Sequence, residues 1–327
     1  MQKIFLNLAE PAFPLPKPIQ KKLCAFLGST HRFPSNYCDL EKAIAAEYGV
    51  RKENVLLANG AHEAIDVIAR VFGKRTLVFT PSYIEFVLAP ERNGFKSETV
   101  SALQGKKFLV NPKHSKLKKA TLVFLANPNN PFGYTSIKTI RELLENTKGV
   151  VAIDETYECF KGKSIASLVR KHKNLLVIGS FSKSLSLAGL RVGYIIGSKK
   201  LIEKIKPKLV MFRVASISAK AALLCLKQKK HFEKNAMRIV KARKAFEDWL
   251  EGKGFDVYRT DNNNALIRFS SAKKATDFTK KLERKGIIVL QGNGISTVGL
   301  NQRFVRITIG SPKEMMAVKS AILGFLR

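Results

Sequence analysis

Gly179-Ser-Phe-Ser-Lys-Ser-Leu-Ser-Leu-Ala-Gly-Leu-Arg-Val-Gly-Tyr194 follows the apolar run Leu175-Leu-Val-Ile178. That run reads as a buried strand, and Arg191 opens a second apolar run that ends at Gly197. Three serines surround Lys183, and an arginine follows them. A lysine at a strand end, ringed by hydroxyls and a guanidinium, can sit beside a phosphate and also form a covalent imine.

Working outward, strands and helices alternate. Val55–Ala58, Thr76–Phe79, Thr121–Leu125 and Val150–Ile153 are short apolar runs that read as strands. Helical spacing is expected over Asp39–Tyr48, with Asp39 as N-cap, over Ser82–Arg92 and over Ile137–Leu144. This rhythm predicts a mostly parallel sheet covered by helices, whose ligands gather beyond the carboxyl ends of the strands. Three polar clusters fall at those ends: Asn127-Pro-Asn-Asn-Pro131, Asp154-Glu-Thr-Tyr157 and Ser180-Phe-Ser-Lys183. Asn59-Gly-Ala-His62 adds a glycine turn that feeds a helix, where free N–H groups form a seat for phosphate.

Before this core, Asn7 to Pro18 carries four prolines and reads as an extended arm lying across another part of the molecule. After it, one long helical tract is expected from about Ala215 to Leu250. A small α+β unit follows, with strands at Ala265–Phe269, Ile287–Leu290 and Phe304–Thr308 and helices at Ala272–Lys285 and Lys313–Leu326. The chain thus divides into an arm and interface segment (1–35), a large ligand-binding domain (36–225) and a small domain (226–327).

At 327 residues and 45% hydrophobic content the chain has the composition of a folded globular protein. It lacks a run long enough to span a bilayer and a signal-peptide pattern at its start, so the cytoplasm is the expected compartment and no membrane partner is expected. Cys24, Cys38, Cys159 and Cys225 lie far apart, which predicts buried free thiols and no metal site. The 58 basic residues against 25 acidic give a net charge of +33. Short basic groups such as Lys116–Lys119 and Lys227–Lys230 spread this charge diffusely, so nucleic acid is not the expected partner; a basic nucleic-acid-binding protein is a distant alternative.

The clusters, in order, resemble the fold-type I pyridoxal-phosphate aminotransferases, within them the histidinol-phosphate aminotransferase-like group. Asn127-Pro-Asn-Asn-Pro-Phe-Gly133 is similar to that family's NPNNPTG, Asp154-Glu-Thr-Tyr157 to its DEAY, and Ser182–Tyr194 to its SKAFGLAGLRVGY. The resemblance implies an α/β fold of the PLP-dependent transferase type, a mostly parallel seven-stranded sheet with a smaller α+β C-terminal domain, and assembly as a homodimer. It implies an enzyme of amino-acid biosynthesis that moves an amino group between an amino acid, or a histidinol phosphate-like amine, and a 2-oxo acid by a ping-pong Schiff-base mechanism. Decarboxylation of a phosphorylated amino acid, as in threonine-phosphate decarboxylases, is the alternative with the same fold and cofactor.

The resemblance also assigns roles. Lys183 is implied as the imine-forming base, Asp154 as partner of the pyridine nitrogen, and Asn130 and Tyr157 as partners of the ring oxygen. Tyr83 is implied as the aromatic stacked on the ring. Ser180, Ser182, Arg191 and the backbone amides of Ala61 and His62 are implied to hold the phosphate. Arg306 is implied to grip an acidic group of the substrate, and Arg213 is offered as a second anion-binding group. Three departures stand out: Phe33 replaces a tyrosine that reaches across the dimer, Leu290 replaces an arginine of the histidinol-phosphate group, and Leu8–Pro14 resembles the arm of aspartate-like relatives as much as that of the histidinol-phosphate group.

Overall fold

The structure, a computed structural model, describes residues 3–35, 37–294 and 296–326. Its centre is a seven-stranded sheet made of β1 (Val55–Asn59), β2 (Arg75–Thr80), β3 (Lys96–Ser101), β4 (Leu122–Ala126), β5 (Val150–Asp154), β6 (Leu175–Ser180) and β7 (Val192–Gly197). The spatial order is β1-β7-β6-β5-β4-β2-β3. The β6–β5, β5–β4, β4–β2 and β2–β3 pairs are parallel, and β7 runs antiparallel to both its neighbours.

Strand residues alternate between two cores, as a pleated strand requires. Val123, Leu125, Val151 and Ile153 point into one core with Leu40 and Ile44 of the helix Tyr37–Tyr48. Leu122, Phe124, Val150 and Ala152 point into the other, with Ile65 and Ile68 of the helix Gly60–Phe72. Because both faces are covered, the central strands read as unbroken apolar runs instead of alternating ones. Strand β3, Lys-Ser-Glu-Thr-Val-Ser, lies at the sheet edge and is largely exposed, so it carries no such run and escapes a reading by hydrophobicity.

Several boundaries differ from expectation. Asp39 lies inside the first turn of Tyr37–Tyr48 and is not its N-cap; the preceding position is outside the described residues. Pro18 belongs to the first turn of the helix Lys17–Phe26, where a missing N–H costs nothing. The helix expected from Ser82 begins at Glu85, because Ser82 and Tyr83 pair with Thr297 and Val298. The long tract breaks at Lys227 and Gln228 into Ser216–Leu226 and Lys229–Glu251.

A second sheet, Asp256–Tyr258, Asn264–Arg268, Phe304–Thr308 and Leu290–Gln291 in that spatial order, packs on Ala272–Arg284 and Pro312–Leu326. Leu6 and Ala9 of the arm and Tyr157 and Phe160 from beyond β5 join the core of this unit. Ile19 instead enters the large core. The arm therefore straddles both units, and it does lie across other parts of the chain, as its prolines suggest. Among the described residues no helix is long and apolar enough to cross a membrane. The four cysteines are free; Cys24 and Cys38 are exposed and only Cys225 is fully buried, which corrects the expectation of buried thiols.

Candidate active site

The carboxyl ends of β2, β4, β5 and β6, with the end of β1 and the start of β7, meet at one edge of the sheet. A cavity of about 430 Å³ opens there, lined by Tyr83, Asn130, Asp154, Lys183, Arg191 and Arg306 among others. Ala61, His62, Tyr157, Ser180 and Ser182 also reach it. The fold thus gathers eleven of the twelve expected positions around one space; Arg213 is the exception.

Lys183 sits in the short helix Phe181–Ser184 directly after β6. Its Nζ donates to Leu8 O of the arm at 2.8 Å. Burial, then the positive charge of Arg306, pulls its pKa from 10.5 down to about 7. Glu10, also at the cavity, works in the opposite direction. The amine is therefore poised to be neutral, and nucleophilic, near neutral pH.

Asp154 ends β5 and is buried, and its carboxylate accepts from Thr156 N at 2.8 Å. Burial raises its pKa, and it has no ion-pair partner among the described residues. A carboxylate left this way in a low-dielectric site calls for a cation opposite it.

Asn130 and Tyr157 come together: Asn130 Nδ2 donates to the Tyr157 hydroxyl at 3.2 Å. Burial pushes the Tyr157 phenol up to about 12, against the lowering charge of Arg306. Arg306, 2% exposed, donates to Asn130 Oδ1 at 2.8 Å, to Asn7 O at 2.7 Å and to Ser296 Oγ at 2.9 Å. Its Nε has no partner among the described residues, so one buried donor of the guanidinium is free.

At the other end of the cavity, Arg191 Nη1 donates to Ser182 Oγ at 3.4 Å and to Ala188 O at 3.0 Å. Ser180 Oγ donates to Ser182 Oγ at 3.0 Å. The helix Gly60–Phe72 starts here, and no side chain caps its first amides. Gly60 has φ +73°, and a Cβ there would lie 2.4 Å from Arg191 Nη2. Only glycine lets the guanidinium close against the helix start, which makes a cradle of backbone N–H groups and positive charge.

His62 adds a contact the sequence did not disclose. Arg191 Nη2 lies 3.4 Å from its Nδ1, and its Nε2 meets the Tyr83 hydroxyl. A guanidinium only donates, so Nδ1 accepts; in a neutral ring Nε2 then carries the hydrogen and donates to Tyr83. Burial and, against the pull of Glu85, the charge of Arg191 hold the His62 pKa below its ordinary value, consistent with that neutral ring. Tyr83 keeps its own proton to donate into the cavity, its pKa raised by burial.

Arg213 corrects the expectation of a second anion-binding group. It does not line the cavity: its guanidinium donates to Leu57 O and Val210 O and lies over the Tyr37 ring, 5.5 Å from the centroid. Two backbone acceptors and an aromatic face outbid an open space. Ser296 and the Leu8 carbonyl, in contrast, were not legible as site groups. Ser296 carries no motif, and Leu8, although it opens the family-like arm, contributes a backbone carbonyl that no side chain announces; both reach the cavity through the packing of the small unit and arm. Phe33 is 78% exposed and stacks on Phe212 at 4.7 Å.

This parallel sheet with a lysine, a buried aspartate and a phosphate-type cradle at one edge defines the PLP-dependent transferase fold. The family profile described as "Aminotransferase class I and II" matches residues 11–322, so the chain belongs to the class I and II aminotransferases, enzymes that move amino groups with pyridoxal 5′-phosphate. A histidinol-phosphate aminotransferase of Clostridium botulinum is 32% identical over 322 residues, covering 95% of this chain and 89% of that protein. The solved histidinol-phosphate aminotransferase of Clostridium acetobutylicum superposes with a TM-score of 0.90 at 24% identity, covering 99% of both chains. That of Sinorhizobium meliloti, in complex with pyridoxal-5′-phosphate, gives 0.89 at 19% identity over 100% of this chain and 91% of its own. The cavity fits the cofactor on its own terms: an uncompensated buried carboxylate, a low-pKa lysine and an anion cradle stand at its walls.

Proposed function

We propose that Lys183, Asp154 and Tyr157 carry the chemistry of amino transfer between an amino acid and a 2-oxo acid, with Arg306 gripping the substrate carboxylate. The observation that carries this is the free Nε of a buried arginine beside a lysine whose pKa is about 7. Pyridoxal 5′-phosphate, when bound, supplies an aldehyde for amines and a ring that withdraws electrons from the substrate α-carbon. The Arg191, Ser180 and Ser182 side chains and the Ala61 and His62 amides would hold its phosphate. Asp154 would keep the ring nitrogen protonated; Asn130 and Tyr157 would donate to the ring oxygen; Tyr83 would cover the ring face. With its amine free, Lys183 would take the proton from the substrate α-carbon in one half of the exchange and would deliver a proton to the α-carbon of the new amino acid in the other half.

Leu290 supports an α-carboxylate substrate. It stands opposite Arg306 in antiparallel register, so the two side chains leave the sheet on the same face. Leucine brings no charge there, which leaves Arg306 as the guanidinium available to a substrate anion. Histidinol phosphate is the second reading, favoured by the name and 32% identity of the relative above.

The exposed Phe33, Val210, Met211 and Phe212 form an apolar surface that suits a second copy of the chain, giving a homodimer. The chain divides into the arm (1–35), a cofactor domain (36–225) and a small domain (226–327), and four free thiols suit the reducing cytoplasm.

The test is spectroscopic and chemical. An imine absorbance that borohydride abolishes, and that is missing in Lys183→Ala, is expected. Incubation with single amino acids and 2-oxoglutarate should yield the matching 2-oxo acid. Release of CO₂ without 2-oxo acid would assign decarboxylation, and turnover of histidinol phosphate alone would move the substrate to the second reading.

A further inference from the structure

The opposite edge of the central sheet holds a second and larger cavity, about 1170 Å³. Strands of five or six residues at about 3.3 Å each put it roughly 17–20 Å from the cofactor edge. Its walls are the connections that feed the strands. Lys118 and Lys119 come before β4, Lys148 before β5, and Arg170 and Lys173 before β6. Arg51 precedes β1, Arg75 begins β2, and Lys199, Lys200 and Lys204 follow β7. All ten side chains belong to exposed residues, and among the described residues no Asp or Glu lines the cleft.

Little of this charge is neutralised. Arg51 pairs with Glu53 at 3.1 Å and Lys199 with Glu203 at 3.8 Å, both pairs exposed. The other eight have no ion pair among the described residues. The floor beneath them is apolar: Val50 and Phe72 are half-buried, Val169 and Leu201 buried. Polar groups that reach the floor are already engaged. Asn54 donates to Gly197 O at 2.9 Å, Asn174 to Leu144 O at 3.0 Å and Thr121 to Phe72 O at 2.7 Å.

We infer that this cleft binds single-stranded nucleic acid through its phosphates, without reading base sequence. Ten cations exceed what one small anion neutralises, whereas a polymer brings one phosphate per nucleotide. Exposed lysines on flexible four-carbon stems match a flexible backbone better than a single fixed ligand. The apolar floor takes bases, which a single strand exposes and a duplex hides. Since the Asn54, Asn174 and Thr121 side chains are occupied within the fold, the floor offers bases apolar contact and does not read them. A second copy of the chain is a poor occupant, because it brings the same charge. Part of the basic excess that looks diffuse along the chain is thus gathered by the fold at six chain connections.

The test uses the cofactor-loaded enzyme and a fluorescein-labelled single-stranded oligonucleotide about twenty nucleotides long, followed by anisotropy across a salt titration. The triple variant Lys148→Gln/Lys173→Gln/Lys204→Gln removes three charges from the cleft. Lys273→Gln/Lys280→Gln/Lys313→Gln removes three from the small unit. The cleft triple is expected to weaken binding at least about tenfold and to reduce the slope of log affinity against log salt by about 2, at about 0.7 per phosphate contact. The control triple should leave affinity within about twofold, and both should retain transaminase activity and circular dichroism. No binding by the parent enzyme, equal losses in both triples, or tighter binding of inorganic tripolyphosphate or of a duplex than of the single strand would each overturn the inference.

Discussion

Arg306 Nη1 donates to Asn130 Oδ1 at 2.8 Å, tying the small unit's sheet to the loop after β4. Asn262 Nδ2 reinforces the link by donating to Asn129 O at 3.0 Å. Arg306 and Asn130, proposed to hold the substrate carboxylate and the cofactor's ring oxygen, are therefore set by one another, and neither is positioned by its own strand or loop alone.

Arg306→Lys should retain the charge but lose the forked geometry. With one charge-assisted contact worth about 2–3 kcal/mol, kcat/KM for a carboxylate substrate is expected to fall roughly 30- to 150-fold. Steady-state kinetics with the best amino acid checks this.

Lys183 should react as a neutral amine at unusually low pH. In cofactor-free enzyme its rate of modification by an amine reagent is expected to rise through a midpoint at about 7, where an ordinary lysine needs about 10.5. Arg306→Ala removes the second-largest cause of the depression, so the midpoint should move upward. Mass spectrometry of the labelled peptide across pH reads both.

His62→Ala should leave Tyr83 and Arg191 without their shared neighbour. At about 0.5–1.5 kcal/mol for the lost hydrogen bonding, cofactor dissociation is expected to increase roughly 2- to 10-fold. His62→Asn, which keeps a polar side chain at this position, should lose less. Equilibrium titration with the cofactor separates the two.

Gly60→Ala is expected to be worse for the cofactor than its size suggests. The new methyl would meet Arg191 Nη2 at 2.4 Å, at a residue already in the left-handed region. The guanidinium must retreat from the cradle, so phosphate affinity should drop while Tm changes modestly; fluorescence of bound cofactor and a melting curve report the two separately.

Arg243→Ala should destabilise the small unit in a pH-dependent way. Buried Glu247 lies 3.7 Å from Arg243 Nε and also accepts from Thr260 N at 3.1 Å. Burial raises its pKa from 4.5 to about 7, with Arg243 opposing. Raised above its unfolded value, this carboxyl contributes stability below pH 4.5 and loses it as pH climbs through about 7. Loss of the arginine then leaves the buried carboxylate only the half-exposed Arg259, whose Nη1 lies 3.7 Å from it. Above that pH the cost should therefore approach but not reach the about 3–5 kcal/mol of a fully unpaired buried charge, and it should be smaller where Glu247 is protonated. Urea unfolding on both sides of the midpoint is the measurement.

The chain's local chemistry made much of this protein legible. Central strands such as Val150–Asp154 are buried on both faces, so their apolar runs stand out, and the polar clusters closing β4, β5 and β6 mark the sheet edge where Lys183, Asp154 and Asn130 converge. Edge strand β3 lacked that signal because solvent replaces one neighbour. Tertiary structure alone decided the rest. It turned Arg213 onto Leu57 O and Tyr37, brought Ser296 and Leu8 O to the cavity, and joined His62 to Tyr83 and Arg191. It also drew lysines and arginines from six separate connections into one cleft. Such groups have no sequence neighbours in common. They meet because parallel strands start at one edge and finish at the other, and that gathering is a property of the sheet.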